Sequence, residues 1–182
     1  MLGTCERRFV RRYRGLVDLQ VRPAAPSDAA ALAAIAVRAI MVTAAGSYGE
    51  AQLEAWAGGF TPARLAEAIA STFVVVAEVD GHPGGFASLV VRGTPTGELD
   101  LLYVDPDHGG QGVARALDDA VEAEARQQGC TALVADASLL ADPVLQHLGY
   151  RVLRRYDKVH EGAVYANTWL LRDLGRAVDA GR

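Results

Sequence analysis

The stretch Asp105-Pro106-Asp107-His108-Gly109-Gly110-Gln111-Gly112-Val113-Ala114 carries the densest chemical signal in the sequence. It sets glycines between the end of an apolar, β-forming run and the start of an amphipathic helical one. The first amides of a helix have no intrahelical partner and lie at the positive end of its dipole, and glycines let phosphate oxygens approach the chain. The chemistry that fits is a pyrophosphate cradle. A Gly-rich turn that only returns the helix across a sheet fits the same local sequence. The run lacks the Gly-Lys-Ser/Thr of a Walker loop and is not a GxGxxG turn after a first strand.

Upstream, Tyr48, Gln52 and Trp56 recur at i, i+4 and i+8, one face of a helix. A core stripe is one reading. Glutamine between two amphipathic aromatics favours a pocket that holds a cation against aromatic faces. Cys5 and Cys130 have no CxxC or Cys/His spacing, so no metal site and no disulfide framework are expected, and a reducing compartment fits. The isolated His108 and His160 read as structural or solvent-facing, and His82 and His147 add no pattern.

These residues need elements to position them. Leu19 and Val21 begin a short strand that ends at Pro23. Ser27 then caps a helix carrying Leu32, Ile35, Ala36, Ala39 and Ile40. Helical stretches from Gly49 to Ala57, stopped by Gly58-Gly59, and from Pro62 to about Ala70, capped by Thr61, follow. Thr72 to Val79 and Gly84 to Arg92 read as a hairpin turning at Asp80-Gly81, and Thr96 to Val104 as a third strand of that sheet. Gly112 to Gln128 is an amphipathic helix with Val113, Ala116, Leu117, Ala120 and Val121 inward and Asp118, Asp119 and Glu122 outward, terminated by Gly129. Thr131 to Ala135 is a buried strand, Asp142 to Leu148 a short helix closed by Gly149, and Tyr150 to His160 with Ala163 to Leu171 a last hairpin. Antiparallel strands with one βαβ crossover spell α+β, or mixed α/β.

The 182 residues suit one domain, and 51% hydrophobic with 22% charged residues exclude a disordered chain. No apolar run approaches the roughly 20 residues of a membrane span, so no membrane partner is expected. Residues 1–17 hold five arginines against Glu6, leaving −8 on the rest of a chain whose net charge is −4. That start reads as a disordered extension rather than a presequence, and no apolar core follows it to make a secretion signal. An acidic body argues against nucleic acid and suits a cationic substrate. Seventeen arginines against one lysine, Lys158, with 33 alanines, look like GC-rich codon usage and point to a bacterial cytoplasm.

The glycine loop in its context resembles the acetyl-CoA motif of the GNAT N-acetyltransferase superfamily: Gln or Arg, two free positions, Gly, one free position, then Gly or Ala. Gly112 and Ala114 match, while Gly109 departs at the first position. The resemblance extends over about residues 19–172 and includes Leu101 to Pro106, Arg115, Leu117 and Leu148-Gly149-Tyr150. It implies a single GNAT domain over 18–172 with a tail at 173–182. It also implies a twisted mixed sheet of about six or seven strands, splayed between the fourth and fifth and flanked by helices. Acetyl-CoA would be the acyl donor, with its pantetheine arm in the opening. Leu102, Tyr103, Val104, Gly109, Gly110, Gln111, Gly112, Val113, Ala114, Arg115 and Ser138 would contact it, Ser138 standing where many relatives have asparagine.

The same resemblance makes the activity N-acetylation of a primary amine, on a small molecule or a protein, by direct attack on the thioester; a homodimer is compatible with it. Glu98 falls at the place of the general-base glutamate of histone-acetylating members. By the two-residue strand period Asp100 shares its face, and so do Leu102 and Val104. Two carboxylates about 7 Å apart repel, which raises one pKa toward neutrality; a solvated strand face is the bland alternative. The usual acid tyrosine is replaced by Leu145, leaving Tyr103, Tyr150, Tyr48 or water to protonate the thiolate. Tyr48, Gln52 and Trp56 would border the acceptor. With three departures from the pattern, a catalytically degenerate acyl-CoA-binding or regulatory module is the competing class.

Overall fold

A computed structural model describes residues 17–93, 95–160 and 162–175. The Arg-rich start up to residue 16, Cys5 and residues 176–182 of the expected tail lie outside the described residues. Twelve elements follow in order: β1 (Leu19–Pro23), α1 (Ala29–Arg38), α2 (Glu50–Gly58), α3 (Pro62–Ser71), β2 (Phe73–Val79), β3 (His82–Val91), β4 (Thr96–Val104), α4 (Val113–Gln127), β5 (Ala132–Ser138), α5 (Ala141–His147), β6 (Arg151–His160) and β7 (Ala163–Asp173). The seven strands form one sheet in the order β1-β2-β3-β4-β5-β7-β6. All neighbours are antiparallel except β4 and β5, which the α4 crossover makes parallel.

That parallel pair decides the shape of the molecule. It holds only over Thr96↔Ala132, Gly97↔Leu133 and Glu98↔Val134. Past Glu98 and Val134 the strands part, and β5 continues instead along β7 as far as Ser138↔Asn167. The expected splay between the fourth and fifth strands is therefore present.

Two cores fill the two faces of the sheet. On one face, α4 buries Val113, Ala116, Leu117 and Val121 against Val75, Leu89, Leu99 and Leu133. The other face holds Leu32, Ile35, Ile40, Leu53, Phe60 and Leu65 of the α1–α3 region over Val74, Val76 and Phe86. Thr61 caps α3 by accepting from the Arg64 amide at 3.2 Å, a bond worth about 1 kcal/mol.

Three expectations change. The first helix opens with a 3-10 turn, Pro26–Asp28, in which Asp28, not Ser27, takes the Ala25 amide at 2.7 Å while pairing with Arg22. It closes with a wide π turn, Ala39–Thr43. The combined stretch Pro26–Thr43, of mean hydropathy 1.4, is long and apolar enough by length and composition to cross a membrane, contrary to the sequence reading. Its Leu32, Ile35, Ala36 and Ile40 are buried in the second core, as in a core helix.

Third, Asp118 faces inward. Only 1% exposed, it accepts from the Tyr150 hydroxyl at 2.9 Å and pairs with Arg172, which also grips Glu122. The helical period is intact, and a partner on β7 makes the position tolerable for a carboxylate.

Candidate active site

The opening between β4 and β5 is a cavity of about 930 Å³ that runs from the glycine loop to the α1–α3 side. Its two walls begin where pairing stops, with Leu99 and Asp100 on β4 and Ala135 and Asp136 on β5.

At the loop end, Asp105 caps a 3-10 turn by accepting the Asp107 amide at 3.0 Å. The chain then reaches α4 through Gly110 at φ +72° and Gly112 at φ +85°, a left-handed conformation that a residue with a β-carbon adopts only at a cost. Gly112 is the residue that starts α4, so the loop delivers the first amides of a 15-residue helix toward the opening. A β-carbon at Gly110 or Gly112 would meet no heavy atom within 4 Å, so the backbone there is uncovered. Arg38, at the end of α1, ties the loop down through Asp107 at 2.9 Å and Asp105 at 3.4 Å. Sequence spacing gave no signal for that long-range pair.

Most of the residues expected to contact acetyl-CoA line the cavity: Leu102, Tyr103, Val104, Gly109, Gly110, Gly112, Val113, Ala114, Arg115 and Ser138. Gln111 does not; its side chain turns back to the Asp107 carbonyl at 3.2 Å. Arg115 reaches the His147 carbonyl at 3.3 Å and so bridges α4 to the end of α5. His108, read as structural or solvent-facing, is on the cavity wall, and its Nδ1 is buried with no hydrogen-bond partner among the described residues. Gly84 makes room for it, since a β-carbon there would lie 2.8 Å from the imidazole Cδ2.

The other end is aromatic and charged. Tyr48 and Trp56 line it, joined by Tyr165 in a triad with centroids 5.6 to 6.3 Å apart. Their polar ends are occupied: Tyr48 Oη accepts the Leu139 amide, Trp56 Nε1 donates to Tyr103 Oη and Tyr165 donates to the Gln52 carbonyl. Gln52 is absent from the wall, because its amide caps α2 at the Gly49 amide (2.8 Å) and donates to the Val164 carbonyl (2.7 Å). Its regular spacing with the two aromatics reflects helix capping and packing.

The expected shared face of Glu98, Asp100, Leu102 and Val104 is broken by a β-bulge. Ser88 pairs with Leu101 and Leu89 with Leu99, so Asp100 is an extra residue in β4. Leu99, Leu102 and Val104 pack on the α4 side, whereas Leu101 and Tyr103 pack on the α1–α3 side. Glu98, one residue before Leu99, projects to the α1–α3 side with Tyr103. Asp100 is exposed on the cavity wall, and Glu98 sits just behind it, off the wall, with Arg92 4.0 Å away. Burial, then the Asp100 charge, pushes the Glu98 carboxyl above the usual range; Arg92 opposes this, Asp136 adds to it and Lys158 opposes it.

Asp136 is a site residue the sequence reading missed, because that reading ended the strand at Ala135. Its carboxylate takes Lys158 Nζ at 2.8 Å and Asn167 Nδ2 at 2.9 Å. Burial alone would raise its pKa, but the hydrogen bonds from Lys158, Asn167 and Tyr156 outweigh it and hold the carboxyl below the ordinary range. Of the alternative acids, Tyr150 is spent on Asp118 on the other face, and burial pushes its phenol far up. Burial also raises Tyr103, which accepts rather than donates toward Trp56. Leu145, in the usual tyrosine place, is buried.

A sheet opened by a short parallel pair, with glycine-rich helix amides at one end and the carboxylates Asp100 and Asp136 at the other, suits transfer of an activated group from a phosphate-tailed carrier. Comparison with known proteins agrees. Residues 44–167 match the acetyltransferase (GNAT) domain family. The chain is 30% identical to the uncharacterized N-acetyltransferase YafP of Escherichia coli K12, over 84% of this chain and 95% of that protein. It is 31% identical to an aminoglycoside N(6')-acetyltransferase type 1 of Stenotrophomonas maltophilia, over 72% of this chain and 82% of that one. A GCN5-related N-acetyltransferase structure from Rhodopseudomonas palustris superposes with a TM-score of 0.79 at 35% identity, covering 89% of this chain and all of that one. Other solved structures of this fold hold coenzyme A or acetyl-CoA. The chain thus belongs to the GNAT superfamily of N-acetyltransferases.

Proposed function

We propose that the protein acetylates a primary amine of a small cationic molecule in the bacterial cytoplasm. The observation that carries this reading is the continuity of one cavity from the glycine cradle to an acceptor end with an aromatic triad and the carboxylates Asp100 and Asp136. An ammonium group is attracted both by ring faces and by carboxylates. The relative named an aminoglycoside N(6')-acetyltransferase accords with an amine acceptor.

Acetyl-CoA supplies the acetyl group as an activated thioester. In this reading the amides and glycines of Gly109 to Val113 hold its pyrophosphate, with Arg115 as a peripheral cation, and Leu102, Val104 and Ser138 line its arm. Tyr48, Trp56 and Tyr165 seat the acceptor. An amine of pKa about 7.7 to 10.4 arrives protonated and must lose its proton before it can attack. Glu98, desolvated and pressed by Asp100, is the base that receives it across one water, since it lies behind the cavity wall. Solvent returns a proton to the departing thiolate, since Tyr103 is held too basic to do so readily.

A panel of mono- and polyamines tested for thiol release, with product masses, decides the reading. Turnover should be highest for polycationic acceptors. Tight coenzyme A binding without turnover of any amine would instead favour an acyl-CoA-binding regulatory module.

A further inference from the structure

The one lysine in the chain, Lys158, is inside the acceptor end of the cavity. It comes from β6, and its Nζ lies 2.8 Å from Asp136 Oδ2. Asp136 is two residues past Val134, the last β5 residue paired with β4, so this amine stands at the vertex of the opening. Glu98, the partner of Val134, lies on the opposite arm, near enough to feel the charges of both Asp136 and Lys158. The Lys158 side chain is 47% exposed, tethered by an ion pair rather than packed in place. An amine acetyltransferase therefore carries a primary amine of its own where an acceptor amine would be expected.

We propose that Lys158 is a substrate of its own enzyme, acetylated on Nζ when acetyl-CoA is bound and no external amine occupies the cavity. This rests on the acceptor site assigned above. The Lys158 ammonium gives one proton to the neighbouring carboxylates, and its lone pair forms the C–N bond to the acetyl carbonyl carbon as the C–S bond breaks. Sulfur leaves with the bonding electrons, and the second amine proton ends on it. The products are N-acetyl-Lys158, coenzyme A thiol and one released proton. The modification removes the cation that pairs with Asp136, freeing that carboxylate to meet the ammonium of an external acceptor.

The test incubates the full chain with isotopically labelled acetyl-CoA and no amine, followed by intact mass and peptide mapping. The expected result is one acetyl group per chain, on the Lys158 peptide and distinct from the Met1 amine, lost in Lys158→Arg and slowed at least 10-fold by Gly112→Asp or by excess coenzyme A. The coenzyme A arm needs no variant and holds even if Gly112→Asp fails to fold. Absence of label at Lys158 in protein that turns over an external amine overturns this inference alone. Label that forms equally fast with excess coenzyme A is solution chemistry and overturns it too. Failure to bind coenzyme A and to acetylate any amine overturns the parent reading with it.

Discussion

Glu98 and Gln52 illustrate how differently two polar residues in regular elements are used. Glu98 has a carboxyl raised by burial and by Asp100, so its base form is present only above that raised value. Activity should therefore fall as pH drops through a point above the ordinary glutamate value of about 4.3. Glu98→Gln should lower kcat by about 10²-fold and remove that acid limb from the pH profile. Because the folded pKa exceeds the unfolded one, ionised Glu98 costs stability above both values and nothing below them. The variant should thus melt no lower than wild type at pH 7, and a fall in Tm would mark Glu98 as structural. Gln52→Ala, by contrast, removes the α2 cap and the tie to Val164 and should cost about 1–2 kcal/mol while leaving the acceptor KM unchanged. Thermal melts beside initial rates separate the two behaviours.

At the level of elements, α4 does two jobs along its N-terminal half. In the function proposed above its N-terminus receives the donor's phosphates at Gly112, whose φ of +85° penalises any side chain by about 1–2 kcal/mol even though the space around it is open. Gly112→Asp should lower Tm by only a few degrees yet weaken coenzyme A binding at least 10-fold in calorimetry, because a negative charge enters an anion site. One turn further along, Asp118 fastens α4 to Arg172 of β7 and to Tyr150 after α5. Asp118→Ala leaves Arg172 only its Glu122 partner and takes the acceptor from the buried Tyr150 hydroxyl, and should cost about 1–3 kcal/mol in urea unfolding. Coenzyme A affinity of the folded fraction should stay within a few-fold of wild type, since the cradle itself is untouched.

For the whole molecule, the short β4–β5 pairing opens the sheet into a cleft, in the proposed function one with a donor and an acceptor side, and residues 18–182 carry a net charge of −8. A cationic acceptor should be steered in, so kcat/KM for a polyamine should fall as ionic strength rises and the Debye length shrinks from about 30 Å at 0.01 M to about 8 Å at 0.15 M, with kcat little changed. A flat salt dependence would argue for a neutral acceptor. What the sequence by itself determined was local. The Gly-rich junction, the strand Thr96–Val104, the Thr61 cap and the amphipathic face of α4 follow from periodicity and turn chemistry over a few residues, and the extended family pattern carried the fold. The tertiary structure alone decided which way the chemistry points. A bulge at Asp100 exists only because β3 and β4 pair out of step, and it parts Glu98 from Leu102 and Val104. Asp118 turns inward because β7, more than 50 residues away, brings it an arginine. Asp136 and Lys158 meet because β6 and β7 fold back beside the open end of β5. Each depends on contacts between residues distant in the chain, which no local period encodes.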